Sequence, residues 1–132
     1  QQYNEKFEEV TWETSDIRRW LNSDFYTTAF NDIEQSKIAN TLVRTETNTK
    51  DKIFLLSELE VDDEERRTTA TKYAEKAGVY MDDGGYSLWW LRAPGYWSDN
   101  VAEVNCDGWD YEFGMAVYDS DGGVRPALWL NL

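Results

Sequence analysis

WWLRAPG (Trp89–Gly95) and GVRPALWL (Gly123–Leu130) are the two apolar blocks that decide the fold of this chain. Between them, Tyr96–Gly122 mixes Tyr, Trp and Phe with Asp, Asn and Ser around a sparse set of Val, Ala and Gly. The blocks are typical of a buried frame, and the insert is typical of an exposed face. Because Tyr and Trp supply large contact areas at a small entropic cost, such a face favours a binding function.

Composition and charge exclude several classes of protein. The chain has 132 residues with 41% hydrophobic and 15% aromatic content, which predicts one globular domain over residues 1–132. Its net charge of −13 repels polyphosphate and anionic lipid, so we expect no nucleic-acid partner. No apolar run approaches the roughly 20 residues of a membrane-spanning helix, so we expect no membrane insertion.

The side chains used most often in catalysis and metal binding are scarce. Histidine is absent and Cys106 is the single cysteine, which excludes an internal disulfide, His-based catalysis and the usual zinc sites. The acidic stretches Asp82–Gly84 and Asp119–Gly122 lack EF-hand spacing and are interpreted as solvated turns rather than calcium sites. At this density of acids, paired carboxylates arise by chance. We therefore expect no catalytic residue, metal or cofactor.

Local signals predict helices in the first half of the chain. Ser15 is a good N-cap for a helix through Leu21, and apolar spacing predicts a second helix within Phe25–Asn40. Thr41–Thr47 and the buried run Ile53–Leu56 are predicted strands. The residues expected in the core of this half are Trp12, Trp20, Leu21, Phe54 and Leu55.

The second half changes to strands. A surface helix is predicted over Glu64–Lys76, with Gly78 ending it and a turn at Asp82–Gly85. Four strands follow, over Leu88–Arg92, Val101–Asn105, Glu112–Tyr118 and Val124–Leu130. The order predicts an α+β domain, in which residues 1–88 form a scaffold and residues 89–132 form the strands and loops that carry the binding face.

Two sets of residues divide this half into frame and face. The frame is expected to bury Trp89, Leu91, Val104, Val117, Leu128 and Leu130. Arg92 and Arg125 lie in apolar strands and need carboxylate or carbonyl partners, so they are assigned to the frame rather than to a cationic site. The six aromatic residues predicted to be partly exposed on one face are Tyr96, Trp97, Trp109, Tyr111, Phe113 and Tyr118.

Several motifs carry a resemblance to a known family. The segments Thr11–Asn22 and Asp51–Glu60, together with WWLRAPG and GVRPAL, resemble a widespread bacterial family of uncharacterised domains. That family resembles the C-type-lectin fold, in the branch of formylglycine-generating-enzyme-like domains, which implies a lectin-like α+β architecture. Its members carry more sequence before Thr11, whereas Gln1–Val10 is a polar stretch predicted to be an extended lead-in. The resemblance implies a sheet edge that is open or filled by another chain.

The ending also resembles the variable proteins of diversity-generating retroelements. In these proteins a reverse transcriptase mutates adenines, and the C-terminal segment is rewritten around a fixed lattice. Here the lattice corresponds to Ser98, Ala102, Val104, Gly108, Gly114, Val117 and Gly123. The changeable positions are Tyr96, Trp97, Asp99, Asn100, Glu103, Asn105, Cys106, Asp107, Trp109, Tyr111, Glu112, Phe113, Met115, Tyr118, Asp119 and Asp121.

The resemblance implies a non-enzymatic protein that binds protein or carbohydrate ligands. It also implies that the protein is exposed on a cell surface, secreted or part of a phage particle. A lone Cys106 does not supply the thiol chemistry of the related sulfatase-activating enzymes, so that activity is not implied. Two alternatives remain open. One is an enzyme that uses carboxylates of the same face, and the other is a fixed structural or assembly module of a bacterial surface or phage particle.

Overall fold

A computed structural model describes residues 1–132. In it, the first helical stretch begins where the sequence predicts. The hydroxyl of Ser15 accepts a hydrogen bond from the N–H of Arg18 at 3.3 Å and caps the first helix. Helix α1 (Asp16–Trp20), a π-helical segment (Leu21–Phe25) and α2 (Tyr26–Ala29) follow one another without a break.

A second helical region lies within the predicted range Phe25–Asn40. This range contains the end of the first stretch, α2, and a separate helix, α3 (Asp32–Lys37). Helix α3 starts with a capping box, in which Asn31 and Glu34 each bond the other's backbone N–H. The helical half of the α+β prediction is therefore confirmed in position and at the Ser15 cap, and the capping box of α3 is a further feature of the structure.

A small hairpin replaces the single strand predicted over Thr41–Thr47. Strand β1 (Thr41–Arg44) pairs with β2 (Asn48–Asp51) in antiparallel register, with Arg44 opposite Asn48. The prediction was wrong beyond Arg44, because the three residues between the strands form the connecting turn.

The apolar run Ile53–Leu56 was correctly predicted to be buried but wrongly predicted to be a strand. Ile53, Phe54 and Leu55 are buried. Phe54 alone forms a β-bridge, in which it exchanges two hydrogen bonds with Ala127 at 3.0 and 2.8 Å. The Leu56 carbonyl accepts one further bond, from Arg92 N–H at 3.0 Å. An apolar run predicts burial, but it does not predict whether another segment lies alongside to form the hydrogen bonds of a strand.

The helix predicted over Glu64–Lys76 was wrong in its middle, over residues 66–71. Only a 3₁₀ turn (Asp63–Glu65) and α4 (Lys72–Lys76) are helical. Between them the backbone bonds to Gly85 and Ser87 instead, through Ala70 N–H to Gly85 O and Ser87 N–H to Thr68 O. Gly78 follows α4 with φ of +92° and ends the helix, as predicted.

The main sheet has three antiparallel strands in the order β3 (Trp89–Pro94), β4 (Asn100–Val104) and β5 (Asp110–Ala116). Strand β5 pairs only with β4 and forms an edge of the sheet. None of the helices has the length and apolar content needed to cross a bilayer. The helices and the two antiparallel sheets together make the fold α+β, as predicted.

The strand predicted over Val124–Leu130 was wrong. This segment makes only isolated bridges, at Ala127 and Leu130, and Pro126 has no N–H to give to a ladder. Leu130 was expected in the core, but 53% of it is exposed. Leu128 is half-buried against the core.

The sheet separates two cores, because successive side chains of a strand point to opposite faces. Trp90 and Val101 pack into the larger core with most of the scaffold residues. Trp89, Leu91 and Val104 pack into the smaller core on the other face. The buried side chains of the larger core include Trp12, Leu21, Phe54 and Leu55, with Trp20 partly buried against them.

The first residues of the chain do not form the polar extended lead-in that was predicted over Gln1–Val10. Tyr3 is fully buried, and its ring centroid lies 5.6 Å from that of Trp90. The Trp90 indole N–H donates to the Gln1 carbonyl at 2.9 Å, and Asn4 N–H donates to Val117 O at 2.9 Å. Tyr3 is therefore part of the larger core, whereas residues 5–9 are exposed.

Candidate ligand-binding face

The hairpin of β4 and β5 is the support of the candidate face. Its turn is closed by a hydrogen bond from Asn105 N–H to Trp109 O at 2.9 Å, and Gly108 turns the chain with φ of +90°. The segment beside it fixes this turn: Arg66 forms an ion pair with Asp110. Arg67 donates to Cys106 O at 3.1 Å. The scaffold thus determines where the turn of the hairpin lies.

A bulge in β5 changes which side chains face solvent. Glu103 pairs with Tyr111 and Val101 pairs with Met115, so three residues of β5 lie opposite one residue of β4. Gly114 sits in this bulge with φ of +80°, and a Cβ there would lie 2.5 Å from the Val101 carbonyl oxygen. Because the bulge breaks the alternation of the strand, the three consecutive residues 111–113 are all exposed.

Four aromatic side chains form one contiguous patch, which we call the aromatic cluster: Tyr96, Trp97, Tyr111 and Phe113. Ring centroids are 4.9 Å apart for Tyr96 and Trp97, 5.6 Å for Tyr96 and Phe113, and 5.9 Å for Tyr111 and Phe113. The exposed fractions are 71%, 57%, 44% and 52% in chain order. The Tyr96 N–H donates to Phe113 O at 3.0 Å and holds the loop against β5.

The other two predicted aromatic residues are also exposed. Trp109 is 76% exposed and lines a cleft of about 560 Å³. Asp107, Glu112, Arg66 and Arg67 also line this cleft. Tyr118 is 48% exposed, and its ring contacts Phe7 edge-on at 5.0 Å. All six aromatic residues of the insert are therefore accessible, as the sequence predicted.

The polar candidates divide by exposure. Asp107, Glu112 and Asp121 are exposed. The half-buried candidates are Asp99, Asn100, Asn105, Cys106, Met115 and Asp119. Two of these serve the frame, because Asn100 donates to Gly114 O at 3.3 Å and Met115 packs against the larger core. Burial raises the pKa of the Cys106 thiol, which lowers its thiolate fraction.

Glu103 was wrongly assigned to the face. It is only 5% exposed, because alternation along β4 turns it to the same side as the buried Val101. Its Oε2 atom has no hydrogen-bond partner. Burial, together with the negative charge of Asp119, raises the pKa of Glu103 to about 7. Glu103 is therefore an interior carboxyl group and is not part of the exposed face.

Most of the lattice residues are placed as a frame requires. Ala102, Val104 and Val117 are buried. Gly123 is tightly packed, since a Cβ there would lie 2.8 Å from Leu88 O. Ser98 differs, because it is exposed and its hydroxyl lies 3.2 Å from a carboxylate oxygen of Glu9.

Both arginines belong to the frame, as interpreted. Arg92 is 4% exposed and donates to the carbonyls of Leu55 at 2.8 Å and Arg44 at 3.1 Å, and to the Glu60 carboxylate. The guanidinium of Arg125 lies 4.4 Å from the centre of the Trp89 ring. Arg125 also donates to the Glu65 carbonyl at 2.9 Å, so both guanidinium groups have the carboxylate or carbonyl partners that were expected.

Two residues of the site were missed by sequence reasoning. Glu9 and Glu46 line a groove of about 530 Å³ together with Tyr96 and Trp97 of the aromatic cluster. They come from the N-terminal segment and from the β1–β2 turn, far from the insert in sequence. No local pattern signals this proximity, because only the tertiary fold creates it.

The candidate face combines exposed aromatic rings with exposed carboxylates. Across the molecule, no group of three or more His, Cys, Asp or Glu side chains is arranged to hold a metal ion.

No curated protein and no solved structure matches the chain. A family model matches residues 1–132, the whole of the described fold. The chain therefore belongs to the family of domains of unknown function DUF6273.

Proposed function

We propose that this protein binds protein or glycan ligands through the aromatic cluster, Trp109 and the exposed carboxylates around them. We further propose that it is a lectin-like variable protein of a diversity-generating retroelement, in which these positions are rewritten. The motifs WWLRAPG and GVRPAL and the lattice between them are the basis for this second part.

One observation carries the proposal. The insert Tyr96–Gly122, which the proposal takes to be rewritten, holds six large aromatic side chains that are between 44% and 76% exposed. Large aromatic side chains are normally mostly buried. Four of them contact one another and form a single patch. Patches of exposed aromatic residues on otherwise polar surfaces are typical of interaction sites, where Tyr and Trp contribute most of the binding energy.

The mechanism is display of changeable side chains on a fixed backbone. Substitutions at exposed positions usually change stability by about 0.5 kcal/mol or less, so the face tolerates replacement. The backbone stays in place because the ion pair of Arg66 with Asp110, the bulge at Gly114 and the buried residues of β3 and β4 hold it. Changing the side chains then changes the ligand and leaves the fold intact.

A fixed assembly interface is the second candidate. It is favoured by the ring-to-ring contacts within the aromatic cluster, which give the patch one defined shape. This candidate requires the present side chains, whereas the display mechanism requires only that the positions be exposed. Randomising the positions therefore separates the two.

Binding by the face is tested with matched variants. The face variant carries Trp97→Ser and Phe113→Ser, and the control carries Tyr73→Ser and Trp129→Ser, which remove exposed rings outside the face that are 84% and 66% accessible. Each protein is applied to a glycan array and to an array of bacterial surface proteins, after circular dichroism melts establish that all are folded. We expect wild type and control to bind the same ligands and the face variant to lose them. Equal binding by all three proteins would exclude the aromatic cluster as the site.

A further inference from the structure

The groove beside the aromatic cluster has an unusual combination of walls. Tyr96 and Trp97, which are 71% and 57% exposed, line it. Glu9 and Glu46, both exposed acidic residues, line it as well. The remaining lining residues are small or neutral, and none is a lysine or an arginine. The groove therefore joins two π-systems and two negative charges with no internal cation.

The groove is held in place by backbone contacts. Val10 N–H donates to Ser98 O at 3.2 Å, which ties the N-terminal segment to the loop that carries Trp97. The hydroxyl of Ser98 lies 3.2 Å from Oε1 of Glu9, so the carboxylate is oriented at the rim of the groove. A ligand entering here meets a site whose lining is already positioned.

We propose that this groove binds an arginine or lysine side chain from a basic segment of a protein ligand. A guanidinium or ammonium group is attracted to the faces of Tyr and Trp rings and forms charge-assisted hydrogen bonds with carboxylates. The net charge of −13 also attracts basic partners over longer distances. This inference rests on the proposed function, because it assigns a ligand class to part of the same face.

The origin of the two carboxylates gives the groove a particular role. Glu9 and Glu46 lie outside the insert Tyr96–Gly122, so they stay when the insert is rewritten. Each version of the face would then keep the same negative rim, whatever aromatic or polar side chains stand beside it. The scaffold thereby biases the whole repertoire towards basic protein surfaces, while the insert determines which of them is bound.

The test compares a charged probe with its neutral isostere. N-acetyl-arginine amide and N-acetyl-citrulline amide have nearly the same shape, and only the first carries a positive charge. Each is titrated into the ¹⁵N-labelled protein while the amide signals of Gly95–Ser98 and the Trp97 indole signal are followed by NMR. We expect saturable shifts with the arginine probe, with a Kd on the order of millimolar for a single side chain, and weakening as salt rises.

Two variants assign the binding to the carboxylates. Glu46→Gln should weaken binding of the arginine probe by about two- to fivefold, and Glu9→Gln/Glu46→Gln by more. The control Glu64→Gln removes an exposed carboxylate from the 3₁₀ turn, which does not line the groove, and should leave binding unchanged.

Each outcome decides the inference. Equal shifts with the citrulline probe, no shifts with either probe, or equal weakening by Glu64→Gln would each overturn the cation groove. None of these results affects the array test with Trp97→Ser and Phe113→Ser, which judges the proposed function separately. If the arrays return only neutral glycans that compete for the same signals, the face binds ligands and the assigned ligand class is wrong.

Discussion

Replacing Glu103 by glutamine should make the protein more stable at neutral and alkaline pH. The carboxyl is buried in β4 next to the larger core, and one of its oxygen atoms has no hydrogen-bond partner. Burial first, and the charge of Asp119 second, raise the pKa of Glu103 from an ordinary value of 4.5 to about 7. Above that pH the folded protein contains an interior carboxylate without compensation, which glutamine would remove.

Proton linkage gives the sign and the size of the effect of Glu103 on the free energy of unfolding. Between pH 4.5 and 7 the unfolded chain has released the proton of this group while the folded protein retains it, so stability falls as pH rises through this window. Each pKa unit corresponds to about 1.4 kcal/mol, which gives an upper value of roughly 3 kcal/mol for the complete loss. Below pH 4.5 both states hold the proton and the loss disappears.

The assay is urea unfolding of wild type and Glu103→Gln between pH 4 and pH 8.5, followed by circular dichroism. The difference between the two proteins removes the contributions of other carboxylates. We expect the free energy of unfolding of the variant, relative to wild type, to increase by about 1–3 kcal/mol from pH 4.5 to pH 8. The control Glu112→Gln changes an exposed carboxylate of the neighbouring strand and should show a difference below about 0.5 kcal/mol. A difference for Glu103→Gln that stays constant with pH would refute the interior placement of this charge.

Three further predictions concern the frame and its division from the face. Leu91→Ala creates a cavity in the smaller core and should lower the free energy of unfolding by about 2–5 kcal/mol. Trp109→Ala truncates an exposed side chain and should lower it by about 0.5 kcal/mol or less. Thermal melts of the two variants measure this difference. Gly114→Ala forces a Cβ against the Val101 carbonyl at positive φ, so urea unfolding should show a loss of more than about 1 kcal/mol. Asp110→Asn removes the carboxylate that links Arg66 to the hairpin and leaves Arg66 paired only with Asp63. Hydrogen exchange of the turn amides should become several-fold faster, and unchanged exchange would contradict this anchor.

Sequence reasoning identified the features that local chemistry specifies. The caps of α1 and the glycine after α4 were predictable because a hydroxyl at an N-cap and a glycine at positive φ act within a few residues. The exposure of the insert was also predictable, because its aromatic residues alternate with acids and turn-forming glycines. These signals depend on near neighbours in the chain.

The errors share one physical cause, which is that hydrogen-bonding partners distant in sequence are invisible in it. Ile53–Leu55 are buried, and Val124, Ala127 and Leu128 pack against the larger core, yet each of these two segments forms β-bridges at only one or two residues. Tyr3 fills space beside Trp90 although its neighbours in sequence are polar. Glu103 lies on the inner side of β4, a position set by strand register rather than by residue type.

The central claim is that exposed positions of the insert can be rewritten while the fold persists and the ligand changes. Two yeast-displayed libraries test it directly. The face library randomises Tyr96, Trp97, Trp109, Tyr111 and Phe113, and the frame library randomises Trp89, Leu91, Ala102, Val104 and Val117.

Resistance of the displayed proteins to protease measures folding, and selection against several unrelated proteins measures binding. The display mechanism predicts that most members of the face library resist protease and yield different binders for different targets, while most members of the frame library are degraded. Equal protease sensitivity of the two libraries, or a folded face library without binders, would contradict it.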